Sequence, residues 1–230
     1  MLFPGPLKNV MRGSRGGPSG PNGSGQPVPP RTAENQKGVS TRVSRGLEEF
    51  FTHIHGQSGL TLLDLGGASQ QNVSFITDLG HRFSSEDFLQ VIGETSGADS
   101  AADQANPGRI EYFLRKTLDY PEHHFDGVLI WDVLEYLAPA LLTAVVERLH
   151  RIVRPGSYML AFFHADDKLE TVPYYAFRIQ DMKTLHVSEY GAHRPAQLFN
   201  NRSLEKLFAS SESVKFFLTR DRLREVVIKA

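Results

Sequence analysis

Leu62-Leu63-Asp64-Leu65-Gly66-Gly67-Ala68-Ser69 is a short apolar run that meets an acid, breaks at two glycines and restarts at Ser69. A run of this kind suits a strand buried on both faces of a parallel sheet. The glycines let the following turn approach a ligand closely at the head of a helix. Gly80 stands sixteen positions after Asp64, a short alternating run starts at His81, and Asp87 stands twenty-three positions after Asp64. In a doubly wound sheet a ligand lies across the carboxyl ends of adjacent strands where strand order reverses, and an acid closing the second strand accepts hydrogen bonds from both ribose hydroxyls. Asp87 has that place, with Glu86 as its rival; a solvated strand end is the plainer reading of the same acid.

The pattern continues outward in both directions. Leu47, Phe50, Phe51 and Ile54, with Val43 before them, recur at helical spacing and predict an amphipathic helix over Thr41 to His55. Strands are expected at Thr61 to Leu65 and His81 to Phe88, with a helix from Ser69 to Leu79 between them, Val73, Phe75 and Ile76 inward. Gly93 to Gly108 is polar and rich in small residues, and no third strand is evident before the helical pattern Ile110, Phe113, Leu114, Leu118. His124-Phe125-Asp126-Gly127-Val128-Leu129-Ile130-Trp131-Asp132 is again a doubly buried strand, followed by Val133-Leu134-Glu135-Tyr136-Leu137. Pro139 opens a helix whose stripe is Leu141, Leu142, Val145, Val146, Leu149 and Ile152. Arg154-Pro155-Gly156 ends it, and Tyr158 to Phe163 is the next strand. Residues 164–200 exceed a simple return connection and carry Tyr174, Tyr175, Phe177, Tyr190 and Phe199, as a pocket wall or as packing at the sheet edge. Asn201 or Ser203 caps a helix with Leu204, Leu207 and Phe208 inward, and Val214 to Thr219 with Arg224 to Lys229 form an antiparallel pair.

The glycine turn with its acid at Asp87, the "VLEYL" segment after the second buried strand, and the Val-Arg-Pro-Gly turn before the next one resemble class I S-adenosylmethionine-dependent methyltransferases of the type 11 kind. The resemblance covers about residues 41 to 230. It implies a doubly wound, Rossmann-like α/β fold with a mostly parallel seven-stranded sheet, a C-terminal antiparallel hairpin and helices on both faces. It also implies S-adenosylmethionine as cofactor, with Asp64, Gly66, Gly67 and Ala68 along its methionine and ribose side, Asp87 on the ribose, and Asp132 near the reactive methyl. Asp64 has the alternative role of fixing the loop through backbone amides, and Asp132 that of capping the next helix. His164, beside Asp166 and Asp167, is a base or substrate contact on one reading and a surface histidine on the other. The chain departs from the family at Ala68 and at Ser69-Gln70, where glycines are usual, and Phe113-Leu114-Arg115-Lys116 offers no acid for an adenine amino group. Nicotinamide dehydrogenases share the first strand, turn and helix, but their Gly-x-Gly-x-x-Gly loop is further from Gly66-Gly67-Ala68-Ser69-Gln70-Gln71.

Composition narrows the partners. Residues 1–46 hold nine of the twenty glycines and seven of the thirteen prolines and carry a charge of +6, leaving −7 on the remainder. Few apolar side chains offset the entropy of ordering, so residues 1–40 are expected to be a disordered basic tail ahead of a domain over 41–230. The tail reads as a solvated leader or as sequence upstream of a start at Met11 or later; its charge also suits nucleic acid, an anionic membrane or the acidic body. That acidic body disfavours a nucleic-acid substrate. Without cysteine there is no disulfide framework or thiolate metal site, and without a long apolar run no membrane span, so a cytoplasmic protein is expected. Nine histidines show no His-Glu-x-x-His spacing, and neither a P-loop nor a Gly-x-Ser-x-Gly elbow is present. Two functions follow: a methyltransferase acting on a small-molecule acceptor, and a methyltransferase-like scaffold without catalysis, using its tail as a contact arm.

Overall fold

The computed structural model describes residues 38–95, 100–166, 169–219 and 222–230. The chain runs β1 (Gly38–Val43), α1 (Arg45–Ile54), β2 (Thr61–Asp64), α2 (Gln70–Asp78), β3 (Arg82–Ser85), α3 (Phe88–Thr95), α4 (Ser100–Ala105) and α5 (Pro107–Thr117). It continues with β4 (Phe125–Trp131), a 3₁₀ turn (Val133–Tyr136), α6 (Pro139–Ile152), β5 (Val153–His164), β6 (Val172–Asp181), β7 (Thr184–His193), α7 (Asn201–Leu207), β8 (Ser213–Leu218) and β9 (Leu223–Lys229). The main sheet has the order β3-β2-β4-β5-β9-β8, with β9 antiparallel to both its neighbours and the rest running one way.

Strict alternation along the central strands builds two cores. Leu63, Val128, Ile130, Met159, Ala161 and Phe163 face α3, α5 and α6, while Leu62, Leu129, Trp131, Leu160 and Phe162 face α1 and α2. A strand buried on both sides needs apolar residues at every position, which is why β2 and β4 read as continuous runs. The stripe foreseen in α6 is buried throughout.

Several expectations are corrected. The sheet is mixed and six-stranded rather than seven-stranded: among the described residues α3, α4 and α5 fill the chain between β3 and β4, and no strand lies there. The helix foreseen from Thr41 starts at Arg45, because Ser44 Oγ caps it by accepting from Leu47 N at 3.0 Å. Thr41 and Val43 belong instead to β1, and Val43 is exposed. The strand foreseen through Phe88 stops at Ser85, since Asp87 Oδ1 accepts from Gln90 N at 2.9 Å and starts α3. Asn200, not Asn201 or Ser203, caps α7, with Ser203 completing a capping box. Residues 1–37, most of the stretch expected as a disordered tail, lie outside the described residues; Gly38 to Ser40 are strand.

The long connection after β5 is mostly strand. It is the hairpin β6–β7, which pairs with β1 in a separate sheet of order β1-β7-β6. Phe177, Ile179, Leu185 and Val187 seat this sheet on the core beneath α1 and α2. Its turn is tied back where Ser44 N donates to Lys183 O at 2.8 Å.

Candidate functional site

Strand order reverses between β2 and β4: β3 lies on one side of β2 and β4 on the other, so the open crevice falls at the carboxyl ends of these strands. A cavity of about 210 Å³ sits there, lined by Gly66, Gly67, Ala68, Ser69, Asn72 and Asp87 from the strand ends and loop, by Trp131, and by Ala176, Phe177, Arg178 and Tyr190 from the hairpin.

One end is formed by Asp87 and the glycine turn. Gly67 has φ +86°, a left-handed conformation that strains other residues, and a Cβ built on it would stand 2.8 Å from Asp87 Oδ2. Gly67 N donates to Glu86 O at 3.1 Å and Glu86 N to Asp64 O at 2.8 Å, so the turn stays stitched to the chain beyond β3. Neighbouring side chains on that extended segment diverge: Asp87 lines the cavity, while Glu86 accepts a 2.6 Å hydrogen bond from Tyr120 Oη. Burial and that bond to Glu86 push the Tyr120 hydroxyl above its ordinary pKa, so it stays a donor at any physiological pH.

The other end is occupied by protein. Asp64 is fully buried and faces inward: its Oδ1 accepts from Gly66 N at 2.8 Å and from Trp131 Nε1 at 2.7 Å, and its Oδ2 accepts from Asn72 Nδ2 at 3.0 Å. The Trp131 indole abuts the turn: a Cβ on Gly66 would stand 2.6 Å from Trp131 Cδ1. The ring of Phe177 stacks on this indole at 5.2 Å and 9°, and Phe162 meets it edge-on at 5.6 Å. Asn72 clamps the hairpin from the first turn of α2, accepting from Ile179 N at 2.8 Å and donating to Phe177 O at 3.2 Å; Gln71 adds a bond to Ile179 O at 3.0 Å. Arg178 reaches across the hairpin to Ser188 Oγ at 2.6 Å and Tyr190 Oη at 3.2 Å.

Of the residues proposed from sequence, Gly66, Gly67, Ala68 and Asp87 come together around the cavity. Asp64 is beneath it, its Oδ1 accepting from the Gly66 amide of the loop. Asp132 is fully buried at the end of β4, is not among the lining residues, and does not cap the 3₁₀ turn that follows. His164 is not a surface histidine: it is 5% exposed, with Nδ1 at 2.6 Å from Glu135 Oε2 and its backbone N donating to Glu135 Oε1 at 2.8 Å. The buried Glu135 was missed in the "VLEYL" segment, where its spacing reads as an ordinary helical polar position. Trp131 and the clamp residue Asn72 were also missed. Among the described residues no cluster of His, Cys, Asp and Glu is placed to hold a metal ion, and no helix is long and apolar enough to cross a membrane.

No protein-family model matches the chain, and no curated protein matches its sequence. Among solved structures it is similar to 1,6-didemethyltoxoflavin-N1-methyltransferase of Burkholderia thailandensis with bound 1,6-didemethyltoxoflavin and S-adenosylhomocysteine, at 14% identity and TM-score 0.46, covering 80% of this chain and 76% of that one. It is similar to a SAM-dependent methyltransferase of Methanosarcina mazei at 14% identity and TM-score 0.44, covering 78% and 96% of the two chains. A third is the glycopeptide N-methyltransferase MtfA complexed with S-adenosylmethionine, at 16% identity and TM-score 0.43, covering 81% and 94%. Those activities belong to those proteins.

Proposed function

We propose that this chain is an S-adenosylmethionine-dependent methyltransferase acting on a small-molecule acceptor. The observation that carries the reading is the apposition of Gly67 and Asp87 across a cavity at the switch point of the sheet. A ribose offers two vicinal hydroxyl donors, and a carboxylate facing a side-chain-free turn accepts both at close range. That end of the crevice fits the cofactor. At the other end the fit requires Trp131 to move, and the cavity of about 210 Å³ is below the roughly 300 Å³ at which small-molecule pockets begin.

When bound, the cofactor supplies an electrophilic methyl on a sulfonium. The chain's part is to hold the acceptor in line with it and keep water away. Asp87 and the Gly66–Ala68 backbone would hold the nucleoside, and the hairpin residues Phe177 and Tyr190 would wall the crevice from solvent. The acceptor's class is taken as small because the hairpin roofs the crevice closely.

The Trp131–Phe177 stack favours a second reading, a methyltransferase-like binding domain without turnover, because protein atoms fill the β4 side of the crevice. Calorimetric titration with S-adenosylmethionine, S-adenosylhomocysteine and, for comparison, NADH separates the two. Micromolar binding of the adenosyl ligands alone supports the first reading; no heat from any of them supports the second.

A further inference from the structure

We infer that Trp131 is the specificity-determining residue of the crevice: its indole plugs the β4 side, and a nucleoside carrying an arm with a positively charged group binds by exchanging that indole for the arm at Asp64. The inference rests on the reading of the crevice as a nucleoside site and names what the site admits.

Four features of the molecule lead to it. A ligand whose ribose sits at Asp87 has room only as far as Gly66, where the indole lies flush on the turn. Asp64 is a buried carboxylate whose Oδ1 accepts a neutral indole N–H at 2.7 Å; an ammonium in the same place makes the stronger, charge-assisted bond. Trp131 has φ +58°, a strained conformation for a bulky side chain that persists only while its surroundings hold it. The indole itself is held by Asp64, by Phe162 of β5 and by Phe177 of the hairpin, which is fastened to α2 by Asn72 and Gln71 and pairs with β1 rather than with the main sheet. Displacing the plug therefore parts the indole from Asp64 and from the Phe177 ring and unpairs no strand of the six-stranded sheet. Adenosine, which ends at the ribose, binds beside the indole; S-adenosylhomocysteine, with its amino-acid arm, must replace it.

Trp131 is the chain's one tryptophan, so its emission reports this exchange directly. The full-length protein is titrated with adenosine and with S-adenosylhomocysteine, following tryptophan emission and acrylamide quenching, with affinities taken from calorimetry. The expected result is a red shift and greater quenching with S-adenosylhomocysteine, and neither with adenosine. Phe177→Ala should tighten S-adenosylhomocysteine by about three- to tenfold, the scale of one aromatic pair, and leave adenosine unchanged. Trp131→Phe, read by calorimetry, should act in the same direction and stands in if the first variant does not fold. Binding of S-adenosylhomocysteine by a variant alone also supports the plug, in a form too tight for the native chain to open. Saturation with S-adenosylhomocysteine without any change in emission or quenching overturns the inference, as does an unchanged preference between the two ligands in both variants. If neither the native chain nor either variant binds either ligand, the nucleoside reading itself fails and the inference falls with it.

Discussion

Substituting Asp64 tests how the crevice is held together. Asp64→Ala removes the acceptor for Gly66 N, Trp131 Nε1 and Asn72 Nδ2, all at 3.0 Å or less. An orphaned buried donor costs about 1–3 kcal/mol, so with partial relaxation the loss should be about 3–5 kcal/mol. For a domain of this size that is a fall in Tm of roughly 10 °C. Asp64→Asn is subtler. Its oxygen can still serve Gly66 and Trp131, but its amide group then meets the Asn72 amide, donor against donor. Asn72 cannot turn over without losing Ile179 N at 2.8 Å and Phe177 O at 3.2 Å, so about 2 kcal/mol should be lost. Adding Asn72→Asp restores an acceptor opposite the new amide but gives up the bond to Phe177 O, so the double variant should be about 1 kcal/mol more stable than the two single losses summed, a coupling expected only of residues in contact. Urea denaturation followed by circular dichroism measures the wild type, Asp64→Ala, Asp64→Asn, Asn72→Asp and the double variant. A stable Asp64→Asn, or strictly additive losses in the double variant, would refute the hydrogen-bond scheme.

Gly67→Ala should cost about 1–2 kcal/mol, because φ +86° is strained for alanine, and its methyl would press on Asp87 Oδ2; a melt within experimental error of wild type contradicts this. Glu135→Ala leaves the His164 amide and imidazole donors without their carboxylate and should lose about 2–4 kcal/mol, whereas Glu135→Gln keeps one acceptor and should lose about half as much. His81 is buried, which holds its pKa below the ordinary 6.5 despite the opposing pull of Asp126. The unfolded chain therefore binds the proton more readily: stability from the neutral imidazole is complete above pH 6.5 and is lost as pH falls toward the depressed folded value. His81→Gln should flatten that acid limb in a stability-versus-pH series, and an unchanged slope would count against it.

The parts of this fold that announce themselves in sequence are those whose geometry is local or periodic. Doubly buried strands at Leu62 and Val128, the α6 stripe and the final antiparallel pair all follow from which residues face apolar surroundings. The order of the crevice, glycine turn then acid, is likewise a matter of spacing. What stayed hidden depends on contacts between distant segments. Residues Gly38–Val43 become a strand only because Thr184–Glu189 offers them an edge, and no periodicity near Ser40 records that partner. Trp131 reads as one more apolar residue of β4 until Phe177 is seen stacked on its ring and Asp64 bonded to its N–H. Glu135 becomes a buried carboxylate only because the end of β5 brings His164 to it. His164 itself follows a wholly buried strand segment, a cue that outweighs the neighbouring acids once the strand is known to run to its end.

The central claim is that Asp87, and not its neighbour Glu86, holds a nucleoside ribose against the Gly67 turn. The most direct measurement is calorimetric titration of the wild type, Asp87→Ala and Glu86→Ala with S-adenosylhomocysteine, each checked by thermal melting. Asp87 also caps α3, so its removal should cost about 1 kcal/mol of stability without unfolding the chain. Loss of two hydrogen bonds to a charged acceptor should weaken binding by about 100-fold, while Glu86→Ala, which loses its bond from Tyr120, should bind as wild type does. An Asp87→Ala variant that binds as well as wild type, a Glu86→Ala variant that loses binding, or no binding by the wild type and by Phe177→Ala alike would contradict the account.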